Sequence, residues 1–314
     1  MMLAVALLAA ASLFIGVSEV SALDVLTGRA DAAALEILAV SRLPRTLSLL
    51  LAGAAMAVTG LLMQMLARNR FVEPSTAGTV ESASLGLLVV LIFAPALPVM
   101  GKMLVASLFA LAGTALFMAI LSRIPHRSTL VVPLVGIMLG GVINAGTTFF
   151  AYRYDLMQSL GAWTMGDFSG VLRGRYELLW LALALTVAAY VAADRFTVAG
   201  LGRSFTTNLG LHYGRVLALG LTIVSLVTAV VVVTVGSIPF LGLIVPNLVS
   251  MAVGDSVRRG LPWVALTGAL FVLVCDIVGR TIRAPYEVPL GTIVGVLGSG
   301  LFLFLLLKDR KRLG

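Results

Sequence analysis

Apolar residues run along this chain in long blocks separated by short polar or basic segments. The natural ruler for such blocks is the roughly 20 mostly apolar residues that an α-helix needs to cross a bilayer. Ten segments meet it: residues 3–22, 47–66, 77–94, 103–121, 130–150, 178–193, 216–235, 240–253, 261–278 and 290–307. The predicted elements are therefore helices, and the expected fold class is an all-α polytopic membrane protein with about ten transmembrane helices. The eighth run is too short to cross as an ideal helix and carries Pro239 and Pro246, so a broken or tilted segment buried by its neighbours is expected there. The first run ends in Val20-Ser21-Ala22, like a signal-peptide cleavage site. It lacks a positive leading region, however, and is followed by more membrane-type sequence.

Composition sharpens this picture. The 314 residues are 60% hydrophobic and 11% charged, with a mean hydropathy of +1.09. A soluble domain carries about 25% charged residues, so this chain cannot cover its apolar interior with a water-facing surface. Intrinsic disorder, a disulfide scaffold and an ordinary cytosolic enzyme are excluded together. The net charge of +8 is scattered in short clusters between apolar runs, the pattern of membrane loops rather than of a nucleic-acid surface. Ten spans put both termini on one side, and the tail Lys308-Asp309-Arg310-Lys311-Arg312 assigns that side to the cytoplasm of a bacterial inner membrane. Acids agree, since only Glu73, Asp194, Asp255 and Asp309 fall on that side. No loop is long enough to fold separately, so residues 1–314 form one membrane domain. The single cysteine, Cys275, lies in an apolar run and reads as a small buried residue.

A transporter needs an energy source, and the sequence can be searched for one. Its only Gly-Lys pair, Gly101-Lys102, is followed by Met103 instead of Ser or Thr, so there is no phosphate-binding loop. Ion-coupled carriers place several ionisable groups at mid-membrane depth, whereas only Glu81 and Asp276 fall within or at the edge of a run here. His126 and His212 lie in loops, and no metal-ligand cluster or catalytic constellation is visible. A passive channel, or a permease driven by a separate ATPase, is left. Asp276 and Arg280 stand four apart on one helix face and read first as an intrahelical ion pair. Glu81 reads equally as a group bonded to neighbouring helices or as one lining a pore.

Four segments resemble the FecCD/BtuC-like permease subunits of iron-siderophore, haem and cobalamin ABC importers. They are Ser41-Arg42-Leu43-Pro44-Arg45-Thr46 leading into Ala52-Gly53-Ala54-Ala55-Met56; Leu66-Ala67-Arg68-Asn69 with Glu73-Pro74; Gly236-Ser237-Ile238-Pro239-Phe240-Leu241-Gly242-Leu243-Ile244-Val245-Pro246; and Asp276 and Arg280 followed by Glu287-Val288-Pro289-Leu290-Gly291. The resemblance spans residue 41 to the C-terminus and implies the type II ABC importer permease fold. It implies that Arg42, Arg45 and Arg280, assisted by Arg283, meet glutamates of a periplasmic or lipid-anchored siderophore-binding protein, guanidinium to carboxylate. It implies a cytoplasmic coupling segment at 200–215, with Gly200, Leu201, Gly202, Arg203, Leu209, Gly210 and Leu211 fitting a cleft on an ATP-binding subunit. It also implies a path between two permease chains, identical or related. Thr59, Gln64, Glu81, Asn144, Thr147 and Asn247 are the polar candidates to line that path, because polar groups in a bilayer need partners or water. No cofactor is expected on this chain, since ATP and Mg belong to the two ATPase subunits.

The chain departs from the family pattern at three places. Pro246-Asn247 stands where Pro-His is common, Asn69-Arg70 replaces Asn-Pro, and Glu81 occupies a position that is usually small or neutral. These features resemble the branch importing ferric catecholate or mixed siderophores of the petrobactin, anguibactin or vibriobactin type. A cobalamin or haem importer of the same build is the near alternative. An ATPase-independent channel or ion-coupled carrier is the distant one.

Overall fold

The computed structural model describes residues 1–16, 21–124, 131–254 and 256–313. Val20, His126 and Asp255 from the sequence reading lie outside the described residues. The described chain is helical. It begins with α1 (Met2–Phe14), α2 (Ala22–Leu26) and α3 (Ala32–Ile37); a wider π-helical turn, Leu38–Arg42, then runs without a break into α4 (Leu43–Ala67). After a 3₁₀ turn at Ser75–Ala77 come α5 (Thr79–Phe93), α6 (Val99–Ser122), α7 (Val131–Arg153) and the short α8 (Met157–Thr164). The remaining elements are α9 (Leu179–Val191), α10 (Ala193–Gly200), α11 (Arg203–Asn208), α12 (Tyr213–Val235), α13 (Leu241–Val253), α14 (Val257–Thr281) and α15 (Leu290–Leu313).

Every one of the ten apolar runs coincides with a helix, but they are not ten equal spans. Among the described residues five helical stretches are long and apolar enough to cross on their own: Ala32–Ala67, Val99–Ser122, Val131–Arg153, Tyr213–Val235 and Val257–Thr281. The run expected at 178–193 is longer than its composition indicates, because α9 continues into α10 after a 64° bend and the two together make a sixth. The first run is shorter: its helix stops at Phe14, where Ile15 turns extended. The eighth run, expected to be broken, forms the 13-residue α13. At 1.5 Å per residue that is about 20 Å, two thirds of a hydrocarbon core.

The short helices are short because both α5 and α13 begin inside the bundle. Gly78, just ahead of α5, lies against Gly140, well along α7, and Gly242 in the first turn of α13 lies against Gly60 in the middle of α4. The Gly60–Gly242 approach is backbone to backbone, and a Cβ on Gly60 would overlap the Gly242 carbonyl. A second close approach joins Gly53 of α4 to Gly268 of α14, where a Cβ on Gly53 would stand 2.8 Å from the Gly268 oxygen. These contacts make α4 the axis of the molecule, packed against α9, α12, α13 and α14. Its most apolar stretch is 83% buried, compared with 22% for α7, whose Leu134, Ile137, Met138, Val142 and Phe149 face outward. Cys275 is fully buried in the main apolar core, as its sequence context requires.

Candidate functional site

At the end of the bundle where α4 begins and α14 finishes, three guanidinium groups and two carboxylates form one cluster. Pro44 sits where the wider π-helical turn Leu38–Arg42 passes into α4, and Arg45 follows it directly. Arg45 donates from Nε and Nη2 to Asp276 Oδ1, at 3.2 and 2.8 Å, and from Nη1 to Glu287 Oε2 at 2.7 Å. Asp276 Oδ2 pairs with Arg280 Nη2 at 2.6 Å, the i,i+4 pair that the sequence spacing predicts. Two arginines reach the final carbonyls of α1. Arg280 donates to Ser12 O, Ser12 Oγ and Ile15 O at 3.0, 2.6 and 2.6 Å. Arg42 donates to Leu13 O and Ile15 O. Carbonyls at a helix C-terminus carry partial negative charge, so α1 offers the counter-charge that the two carboxylates do not supply. Gly16 is small for this reason: a Cβ there would stand 2.5 Å from Arg42 Cζ.

The cluster corrects the picture of three outward-facing arginines. Exposure of the side chains is 1% for Asp276, 2% for Arg280, 13% for Arg45 and 26% for Glu287. Arg42 is likewise buried, and of the four arginines only Arg283 lies open, stacked over the Tyr286 ring at 5.9 Å. Charges withdrawn from water need paired, hydrogen-bonded partners, and here the partners are intramolecular. They tie α1, α4, α14 and the loop before α15 together.

Most of the polar groups expected along a path are satisfied within the protomer. Thr59 and Thr147 donate to the carbonyls of Ala55 and Ile143, at 2.6 and 2.8 Å, on their own helices. Gln64 reaches Gly242 O at 3.2 Å, and Asn247 donates to Arg70 O and Leu243 O at 2.9 and 2.6 Å, so both brace α13. Asn144 lies on the open face of α7. Glu81 Oε2 is enclosed without a hydrogen-bond partner among the described residues, and its carboxyl packs over Gly140 of α7.

A fourth carboxylate was not singled out by residue type. Glu73 is 1% exposed; it accepts from Phe240 N at 2.8 Å and from Ser75 Oγ, and so closes the first turn of α13. A carboxylate at a helix N-terminus is favoured by the free amides and by the helix dipole. The signal was the Glu73-Pro74 pair, but nothing in the sequence links it to residues 167 positions later.

The opposite end carries α11. Gly202 and Gly210 adopt φ of +110° and +77°, conformations open to glycine, and they bound the short helix on both sides. Thr206 pins α11 inward by donating to Val198 O and Gly202 O, at 3.2 and 2.7 Å. Leu201, Phe205 and Leu209 point outward at four-residue spacing, Leu209 with 63% exposure. Arg203, Gly200 and Gly210 lie beside this apolar ridge, and Leu211 is half buried where the chain turns into α12. The described residues contain no group of three or more His, Cys, Asp and Glu side chains arranged to hold a metal ion.

A profile of the FecCD transport family matches residues 3–308. The petrobactin import system permease protein YclN of Bacillus subtilis is 52% identical over 305 residues, covering 97% of this chain and 96% of that protein. The ferric-anguibactin transport system permease protein FatD of Vibrio anguillarum is 42% identical, covering 99% and 98%. The vitamin B12 import system permease BtuC of Citrobacter koseri is more distant, at 34% over 86% of this chain. Among solved structures, a metal-chelate type ABC transporter in an inward-facing conformation superposes with a TM-score of 0.82 at 25% identity, over 98% of this chain and 97% of that one.

Proposed function

We propose, since the chain belongs to the FecCD transport family, that it is the membrane permease subunit of a binding-protein-dependent ABC importer for an iron(III)-siderophore of catecholate or mixed type. One observation carries the substrate class: the relatives named for petrobactin and anguibactin match nearly end to end at 52% and 42% identity, while the vitamin B12 permease matches at 34% over a shorter stretch. The chain contributes no covalent chemistry. ATP and Mg bind to two separate ATPase subunits, and a second permease chain completes the path.

In this reading the Arg45 end faces the outside and the α11 end faces the cytoplasm, in line with the basic C-terminal tail. The ridge of Leu201, Phe205 and Leu209 seats in a groove of the ATPase, where a short helix pinned by Thr206 passes on a rigid-body movement. The binding protein docks over Arg45 and Arg283, with Arg42 and Arg280 bracing the surface from beneath. The path follows the open face of α7, where Asn144 meets the cargo or the second permease chain, with the Glu81 carboxyl packed against α7 at Gly140. Partners that bind the outward-open and inward-open states with different affinity drive the exchange between them.

The test is affinity purification of the chain from its host in mild detergent, followed by uptake of radioactive ferric siderophore into vesicles. Recovery of a P-loop ATPase and a solute-binding protein, with uptake that requires ATP, is the expected result. A chain that is recovered alone and supports uptake without ATP would overturn the proposal.

A further inference from the structure

We infer that Glu287 is a specificity-determining residue of the outer surface: it occupies from within the chain the place on Arg45 that a carboxylate of the binding protein would take, so that docking proceeds by exchange. This rests on the docking reading above.

The geometry separates a fixed from an exchangeable half of the Arg45 fork. Nε and Nη2 are both spent on Asp276 Oδ1, and Asp276 is enclosed and also held by Arg280, so that half stays in place. Nη1 is free of Asp276, and its partner, Glu287 Oε2 at 2.7 Å, belongs to the most exposed side chain of the cluster. The backbone around Glu287 is anchored. Val288 N donates to Gly279 O at 3.0 Å, and Gly291 N donates to Gly166 O at 2.8 Å. Release of Arg45 therefore needs only rotation of one long side chain already in contact with water.

An incoming carboxylate replaces one ion pair with another, so the docking gain is a difference between two similar contacts. A partner with a lone surface acid gains little. A partner that also engages the exposed Arg283 gains a charge-assisted bond for which, among the described residues, only the Tyr286 ring competes. Glu287 thereby lowers affinity for acidic surfaces in general and keeps the docked complex easy to release.

The experiment uses the intact assembly in lipid nanodiscs with the binding protein recovered alongside it, freed of any anchor. Two quantities are compared between wild type and Glu287→Gln: the labelling rate of Arg45 by phenylglyoxal, followed by peptide mass spectrometry, and the docking affinity of the binding protein. Faster Arg45 labelling and roughly three- to tenfold tighter docking, mostly through the association rate, are expected once the competing like charge is gone. Unchanged labelling overturns the inference, because Glu287 then does not shield Arg45. Faster labelling with unchanged or weaker docking also overturns it. If wild type fails to dock at all, or docks equally well after Arg283→Gln and in high salt, the docking reading itself falls, and the labelling arm still reports whether Glu287 masks Arg45. Glu287→Ala serves as a second variant should the glutamine retain the contact.

Discussion

The two ends of this bundle solve opposite problems. At the Arg45 end, charged side chains are drawn inward and paired with one another and with the carbonyls of α1. At the α11 end, leucine and phenylalanine side chains are pushed outward into solvent. Residue type alone suggests the reverse, with arginines at the surface and leucines in the core. The difference teaches that a charge near a membrane boundary can serve as mortar between helices, and that an apolar ridge held outward by a buried threonine adds little to the stability of its own chain, as the proposed contact with an ATPase requires. Stability and assembly should therefore respond to substitutions at different ends.

The largest effect on folding is expected from Asp276→Ala, which strands the Arg45 and Arg280 guanidinium groups without their shared carboxylate. A loss of about 3–5 kcal/mol follows for a broken buried pair, read as the shift in denaturation by sodium dodecyl sulfate in mixed micelles. A loss under about 1 kcal/mol would mean that water already reaches the cluster. Glu73→Ala, away from both ends, should cost about 2 kcal/mol by uncapping α13. Hydrogen exchange at Phe240 and the first turn of α13 should quicken with it, and unchanged exchange would argue against the cap. Ser12→Ala removes one of the bonds that fasten α1 to Arg280 and should cost about 1 kcal/mol by the same denaturation measurement. The double change Phe205→Ser and Leu209→Ser should leave folding within about 0.5 kcal/mol, as surface substitutions do, yet reduce the ATPase recovered on co-purification by more than tenfold. Equal losses of folding and of ATPase recovery would erase the contrast between the ends.

Much of this architecture could be read from the sequence, because helix formation in a bilayer depends on local composition. Each block of apolar residues coincides with a helix, though the short α2, α3, α8 and α11 lie outside the blocks, and the run with Pro239 and Pro246, expected to be broken, forms the short continuous α13. The Asp276–Arg280 pair was legible because its spacing is fixed by the helix repeat. What escaped was whatever depends on the meeting of distant segments. Arg45 and Asp276 are 231 positions apart, and Glu287 is 242 positions from Arg45, so neither pairing carries a local signal. The likeness to known permeases led to an outward role for Arg280, but it could not indicate that Ser12 and Ile15 take up that side chain. The polar residues picked for a path were chosen because a bilayer leaves them short of partners. Thr59, Gln64, Thr147 and Asn247 found theirs on helix carbonyls, whereas Glu81 Oε2 has none among the described residues.

The bare backbone contacts of α4 set a limit on how such a molecule can move. Where Gly60 meets Gly242 and Gly53 meets Gly268, no layer of side chains lies between the helices to act as a bearing. A slip by one residue would drive the Cβ of Thr59 or Leu61 into a main-chain carbonyl, so α4, α13 and α14 are keyed like teeth and cannot slide past one another. Whatever opens this permease on one face and closes it on the other has to tilt those three helices as a single lever. The bending falls to the short segment that joins the lever to the rest of the bundle ahead of α13, residues 236–240.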